Sequence, residues 1–92
     1  MNAKRRAKII AEIGKVREML EQLREHLSAL ESLRDEEHEC FDNMPEGLQN
    51  SYQGQRIEEC AEQLDSSLSD FDSSLDVIGS VMDDIENVIE YT

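Results

Sequence analysis

Apolar residues in this chain recur at alternating steps of four and three. Ile9, Ile13, Val16, Leu20, Leu23, Leu27 and Leu30 form one row, and Ile57, Ala61, Leu64, Leu68, Phe71, Leu75, Ile78, Met82, Ile85 and Ile89 form a second. The mean step of about 3.5 residues lies close to the turn of an α-helix, so each row stays on one face and can zip against another helix. After Leu30 the same frame puts Arg34 and Glu37 into the row before Phe41 and Met44, while Leu33 and Cys40 offer a shifted frame. The first seam therefore loosens near residue 34, whereas the second runs without a miss.

Between the rows lies a stretch holding the only proline, Pro45, with Gly47 and Gly54. Proline lacks an N–H and clashes with the preceding turn, so a continuous helix must break there. Asn43 is placed to cap a short turn near Pro45, and Ser51 to cap a second helix. The pattern predicts helix 1 over residues 3–42, a turn over 43–53 and helix 2 over 54–91, all within one domain, 1–92. At about 1.5 Å per residue both helices come to roughly 55–60 Å, and equal lengths favour folding back into a hairpin.

In an antiparallel hairpin, facing residues have position numbers with a nearly constant sum. Leu30/Phe71, Leu23/Ile78 and Val16/Ile85 sum to about 101, and Leu27/Leu75, Leu20/Met82 and Ile13/Ile89 to about 102. The fold class is thus all-α, a long antiparallel, coiled-coil-like two-helix hairpin. Ile10, Met19, Cys60, Val77, Val81 and Val88 lie beside the seam and widen the apolar face beyond what two helices cover. Pairing of two hairpins into a four-helix bundle would cover them, so a homo-oligomer, first a dimer, is expected.

Charge is distributed unevenly over the 92 residues, whose net charge is −13. Residues 1–34 carry +3, residues 35–56 carry −5, and residues 57–92 carry eleven acids and no base. Direct nucleic-acid binding is disfavoured, because phosphate contacts need clustered Lys and Arg and only Lys4, Arg5, Arg6 and Lys8 are so placed. The hairpin register is expected to set those four beside Asp83, Asp84, Glu86 and Glu90, offsetting the cost of bases at a helix N-terminus. The run from Asp65 to Asp76 is rich in Ser and Asp, which are mediocre helix formers, and leaves a close-set anionic strip. Asp65, Asp70, Asp72, Asp76, Asp83, Asp84 and Glu86 are the candidate partner-binding residues.

Residue chemistry points away from catalysis. His26 flanks the first seam with no nucleophile or oxyanion arrangement around it, so no enzyme activity and no catalytic residue is expected. His38 lies two positions from Cys40, but no CxxC or HxxxH spacing accompanies them, and neither a metal nor another cofactor is expected. The indices of Cys40 and Cys60 sum to 100, which makes them neighbours near the turn. They can join in a disulfide or, in a reducing compartment, stay as thiols. Apolar runs are too short to span a bilayer, and Met1-Asn2-Ala3-Lys4-Arg5-Arg6 leads into an amphipathic pattern, so a cytoplasmic protein without membrane association is expected. Gly14 and Gly79 are isolated helix glycines that could admit close helix approach.

The turn Cys40-Phe41-Asp42-Asn43-Met44-Pro45-Glu46-Gly47-Leu48-Gln49, followed by Ser51, Gly54, Glu58, Glu59 and Ala61, resembles a recurrent pattern in small acidic helical proteins of bacteria and their phages and prophages. The likeness covers roughly residues 36–64. It implies a prophage or mobile-element setting in a bacterial host and brings no activity, ligand or catalytic residue. The expected role is a non-enzymatic interaction protein whose acidic second helix faces a basic protein partner, with DNA mimicry or anti-defence as its setting. Two alternatives stand beside it. One is an oligomeric bundle sequestering nucleotides through Lys4, Arg5, Arg6 or Tyr52, and the other is a structural or assembly protein.

Overall fold

A computed structural model describes residues 2–91. Among these there is no strand: the chain forms α1 (Ala3–Asp42), α2 (Glu46–Gln49) and α3 (Tyr52–Glu90). It divides into two compact units, one of Met1–Glu25 with Asp72–Thr92 and the other of His26–Phe71. No helix is long and apolar enough to cross a membrane among the described residues.

Each helix end is built by local hydrogen bonds. Asn2 caps α1, its Oδ1 accepting from the Arg5 N–H at 2.7 Å, which satisfies one of the orphan donors of the first turn. At the other end the Asn43 N–H donates to Glu39 O and the Met44 N–H to Phe41 O, both at 3.0 Å, and Pro45 then stops the helix. The Pro45 carbonyl starts the single turn of α2 by accepting from the N–H groups of Leu48 and Gln49 at 2.9 and 3.0 Å. The cap position of α2 is Pro45, with no side-chain cap bond, so Asn43 does not have the capping role expected of it. Ser51 does cap α3: its Oγ accepts from the Gly54 N–H at 3.2 Å, and α3 accordingly opens at Tyr52, two residues earlier than the pattern predicts.

Within the second unit the turn is held against both long helices. Gln49 Nε2 donates to Phe41 O at 2.9 Å, a second bond to a carbonyl that already accepts from the Met44 N–H, and Gln55 Nε2 donates to Gln49 O at 3.0 Å. Gly54 is buried where this backbone crosses α3, and a Cβ there would lie 2.6 Å from Gln49 O and still closer to Leu48 O. Only glycine admits that approach. Gly14 and Gly79, by contrast, have nothing within 4 Å of a notional Cβ, so neither serves close helix packing.

The two steps of each apolar row are buried unequally. Labelling Ile13 as heptad position a and Val16 as d, the a residues Ile13, Leu20, Leu27, Ala61, Leu68, Leu75 and Ile89 are at most 8% exposed. The d residues Leu23, Leu30, Leu64, Ile78 and Ile85 stand at 37–40%. Each helix thus turns its a row inward and leaves its d row leaning outward. In the first unit Ile13, Leu20, Leu75 and Ile89 supply the buried layer; in the second, Leu27, Ala61 and Leu68 do. Burying an aliphatic side chain contributes about 1.5–3 kcal/mol, so the a rows dominate the cohesion of each unit.

The two kinds of glycine should respond in opposite directions in urea unfolding. Gly54→Ala is expected to lose about 1–3 kcal/mol, because backbone oxygens cannot move aside cheaply. Gly79→Ala is expected to gain up to about 1 kcal/mol from helix propensity. Equal effects at both positions would contradict the packing of the turn.

Candidate interaction surfaces

One flank of the seam is closed by ion pairs. In the first unit Arg17 Nη2 reaches Asp83 Oδ1 at 2.8 Å and Glu86 Oε2 at 2.6 Å, and Arg24 reaches Asp76 Oδ1 at 3.0 Å and Asp72 Oδ1 at 3.8 Å. As the index rises from 17 to 24 on α1 it falls from 86 to 72 on α3, which makes these segments antiparallel. The hydrogen bond to Glu86 raises the Arg17 pKa above its ordinary value; desolvation opposes the shift, and the charges of Glu86 and Asp83 support it. Arg17 and Arg24 occupy position e, next to the buried a row, and so do Asp72 and Glu86.

In the second unit Asp65 gathers two cationic groups. Arg34 Nε lies 3.3 Å from Asp65 Oδ1, and His38 Nε2 lies 3.0 and 2.9 Å from the two carboxylate oxygens. Arg34 also bonds Asp35 Oδ1 through Nε and Nη2 at 3.1 and 3.0 Å. Arg34 stands where the apolar row would continue at position a, so the loosening seen in the sequence is a change from aliphatic to ionic contact. The hydrogen bond to Asp65 raises the His38 pKa above its ordinary value; desolvation and Arg34 oppose the shift, and the charges of Asp65 and Asp42 support it.

These contacts bear directly on the acidic residues singled out for a partner. Asp65, Asp72, Asp76, Asp83 and Glu86 all bond cations of α1, whereas Asp70 and Asp84 make no ion pair among the described residues. The engaged ones still face water: the side chains of Asp72, Asp76 and Asp83 are 59%, 67% and 70% exposed. The expected pairing of Lys4, Arg5 and Lys8 with Asp83 and Glu86 is not found among the described residues, where Arg17 takes both acids. An index sum near 101 puts those acids opposite residues 15–18, more than two helical turns beyond Arg6. Lys4, Arg5 and Lys8 make no ion pair among the described residues.

The opposite flank is apolar and open. Position g neighbours the d row, and in the first unit it carries Met19, Val81 and Val88, all exposed, beside Leu23, Ile78 and Ile85, with Arg5, Glu12 and Ser74 at its other places. A groove of ≈ 310 Å³ runs there, lined by Ile9, Ile13, Val16, Met82 and Ile85 and by the charged Arg5, Lys8 and Glu12. In the second unit the same rows hold Leu30, Leu33 and Leu64, with Cys40 and Cys60 as exposed free thiols. Among the residues named for nucleotide binding, Lys4 and Arg5 line a hollow of ≈ 180 Å³ with Asn2 and Lys8. Tyr52 belongs to the other unit and is exposed. No cluster of three or more His, Cys, Asp or Glu is arranged to hold a metal ion among the described residues.

Sequence reasoning missed the ion-pair flank, although a signal was present. Residues 17, 24, 31 and 38 repeat every seven positions beside the first seam, and 65, 72, 79 and 86 do so beside the second. Three of the first set are Arg or His, and three of the second are Asp or Glu. Comparison of the chain with protein-family models, curated proteins and solved structures returned no match.

The His38–Asp65 pair has a definite pH signature. A histidine whose folded pKa is raised contributes stability that is fully present below its unfolded value of about 6.5 and is lost as pH rises through the folded pKa. Proton NMR titration of the His38 ring should therefore show a midpoint above the ordinary range, and Asp65→Asn should lower it. A midpoint insensitive to Asp65→Asn would contradict the pairing.

Proposed function

We propose that this chain is a non-enzymatic interaction protein of the bacterial cytoplasm, working as a dimeric four-helix bundle that presents acidic surface to a basic protein partner. The observation that carries the reading is the unequal closure of the seam. Ion pairs close its e flank, whereas on the other side Leu23, Leu30, Leu64, Ile78 and Ile85 of the d row and Met19, Leu33, Val81 and Val88 at position g stay exposed to water, the arrangement of a bundle half awaiting its other half. In the first unit this side exposes Met19, Val81 and Val88 beside Leu23, Ile78 and Ile85, apolar surface of the kind used at interaction sites.

The acidic surface supports the second half of the proposal. The His26–Phe71 unit has two bases against twelve acids, a net −10, and the other unit has seven against ten, a net −3. A field of one sign speeds encounter with an oppositely charged partner and selects against others. Asp70 and Asp84, which make no ion pair among the described residues, offer carboxylates to it, and the exposed oxygens of Asp65, Asp72, Asp76, Asp83 and Glu86 add to the field while they hold α1. The likeness of the turn to small phage and prophage proteins supports a mobile-element role, in which such a surface mimics the phosphates of DNA or blocks a basic defence protein.

Two measurements test this together. Sedimentation equilibrium should give a dimer at micromolar concentration, and a compact monomer throughout would remove the bundle. Capture of basic proteins from host lysate should fall about tenfold between low and moderate salt, and again in Asp70→Lys/Asp84→Lys. Binding indifferent to both would remove the acidic partner surface.

A further inference from the structure

Resting on that dimer, we infer that the copies pair head to tail, with the apolar groove of one copy's first unit receiving the second unit of its partner. The groove sets the terms for its occupant. Its aliphatic lining calls for apolar side chains at helical spacing, and Arg5 and Lys8 call for carboxylates beside them. These cations have no ion pair among the described residues. They also oppose the dipole of α1, whose first turn holds no acid to offset them.

The second unit of another copy supplies both requirements. Leu30, Leu33 and Leu64 are 40%, 56% and 37% exposed on its open side. Glu37 falls in the d row itself, with Glu36 beside it, and neither has an ion pair among the described residues. A carboxylate set in an apolar stripe needs a cation once that stripe is covered, because burying an unpaired charge is costly. Full antiparallel overlap of α1, Ala3–Asp42, with its copy sets Lys8 opposite Glu37, since both index pairs have the same sum.

Net charge selects the same arrangement. Pairing like with like would press a unit of net −10 onto another of net −10, whereas head-to-tail pairing sets −10 against −3 at the place where the unpaired cations lie. Repulsion is thereby reduced at both halves of a two-fold interface, which repeats each contact by symmetry.

The test compares dimer dissociation constants by sedimentation equilibrium for the wild type, Arg5→Glu/Lys8→Glu, Glu36→Lys/Glu37→Lys, and the fourfold exchange of both pairs. Helix content by circular dichroism reports that each variant is folded. Head-to-tail pairing predicts that each double variant dimerises at least tenfold more weakly and that the fourfold exchange, which has the same net charge as the wild type, returns to within about threefold of it. A Glu36→Lys/Glu37→Lys dimer as tight as the wild type or tighter would overturn the inference while leaving the dimer intact, because like-with-like pairing gains from removing acids that face one another. A wild-type monomer at all concentrations would overturn the dimer and this arrangement with it.

Discussion

Removal of one aliphatic row per helix from water is the interaction on which the rest of the structure depends. The first unit sinks Ile13 and Leu20 of α1 together with Leu75 and Ile89 of α3, while Leu23, Ile78 and Ile85 stay more than a third exposed. A two-stranded coiled coil can seat both a and d in its seam, but here the helices are turned so that the a row lies in it and the d row lies at its edge. With no Trp, two Phe and two Tyr in the chain, no large aromatic cluster is available to substitute for that row. Every other feature follows from which row was chosen.

Choosing the a row places position e at the contact margin and position g on the outside. Arg17 and Arg24 therefore reach Asp83, Glu86 and Asp76 across the margin, and Asp65 receives Arg34 and His38 in the other unit. Exposed pairs of this kind are screened by water, contribute little each and cannot hold the helices alone. Their larger effect is on specificity, since a rotation of either helix that buried the d row would separate them. The acids of α3 thus serve twice, neutralising α1 on one side and giving the molecule its negative field. The same choice leaves Met19, Val81 and Val88 outside, which is the physical ground for proposing a second copy.

Much of the helical layout was legible before any coordinates, because spacing and turn chemistry are local properties. The four-three rows mark both long helices, Pro45 marks the break, and Ser51 marks the start of α3. A short turn opening near Pro45 was legible, but its start was not, since its first bonds come from the Pro45 carbonyl rather than from a cap at Asn43. The need for glycine at 54 was equally hidden, because it arises where two backbones cross rather than from its neighbours in sequence. Which of the two seam steps is buried is not legible in the apolar pattern, because both carry Leu and Ile, and only the charged flank breaks the tie. For the site, composition located the acids, but their partners required the register to be followed to position 17 rather than to the chain start.

The central claim is the register of the first unit, in which α1 and α3 face each other so that position numbers add to about 102 on the buried row. Methyl NOESY on protein labelled at Leu, Ile and Met methyl groups measures it directly. The account predicts cross-peaks between Leu20 and Met82 and between Ile13 and Ile89. Cross-peaks from Leu20 to Ile89, or from Ile13 to Met82, without those two would place the helices one heptad out of step and contradict it.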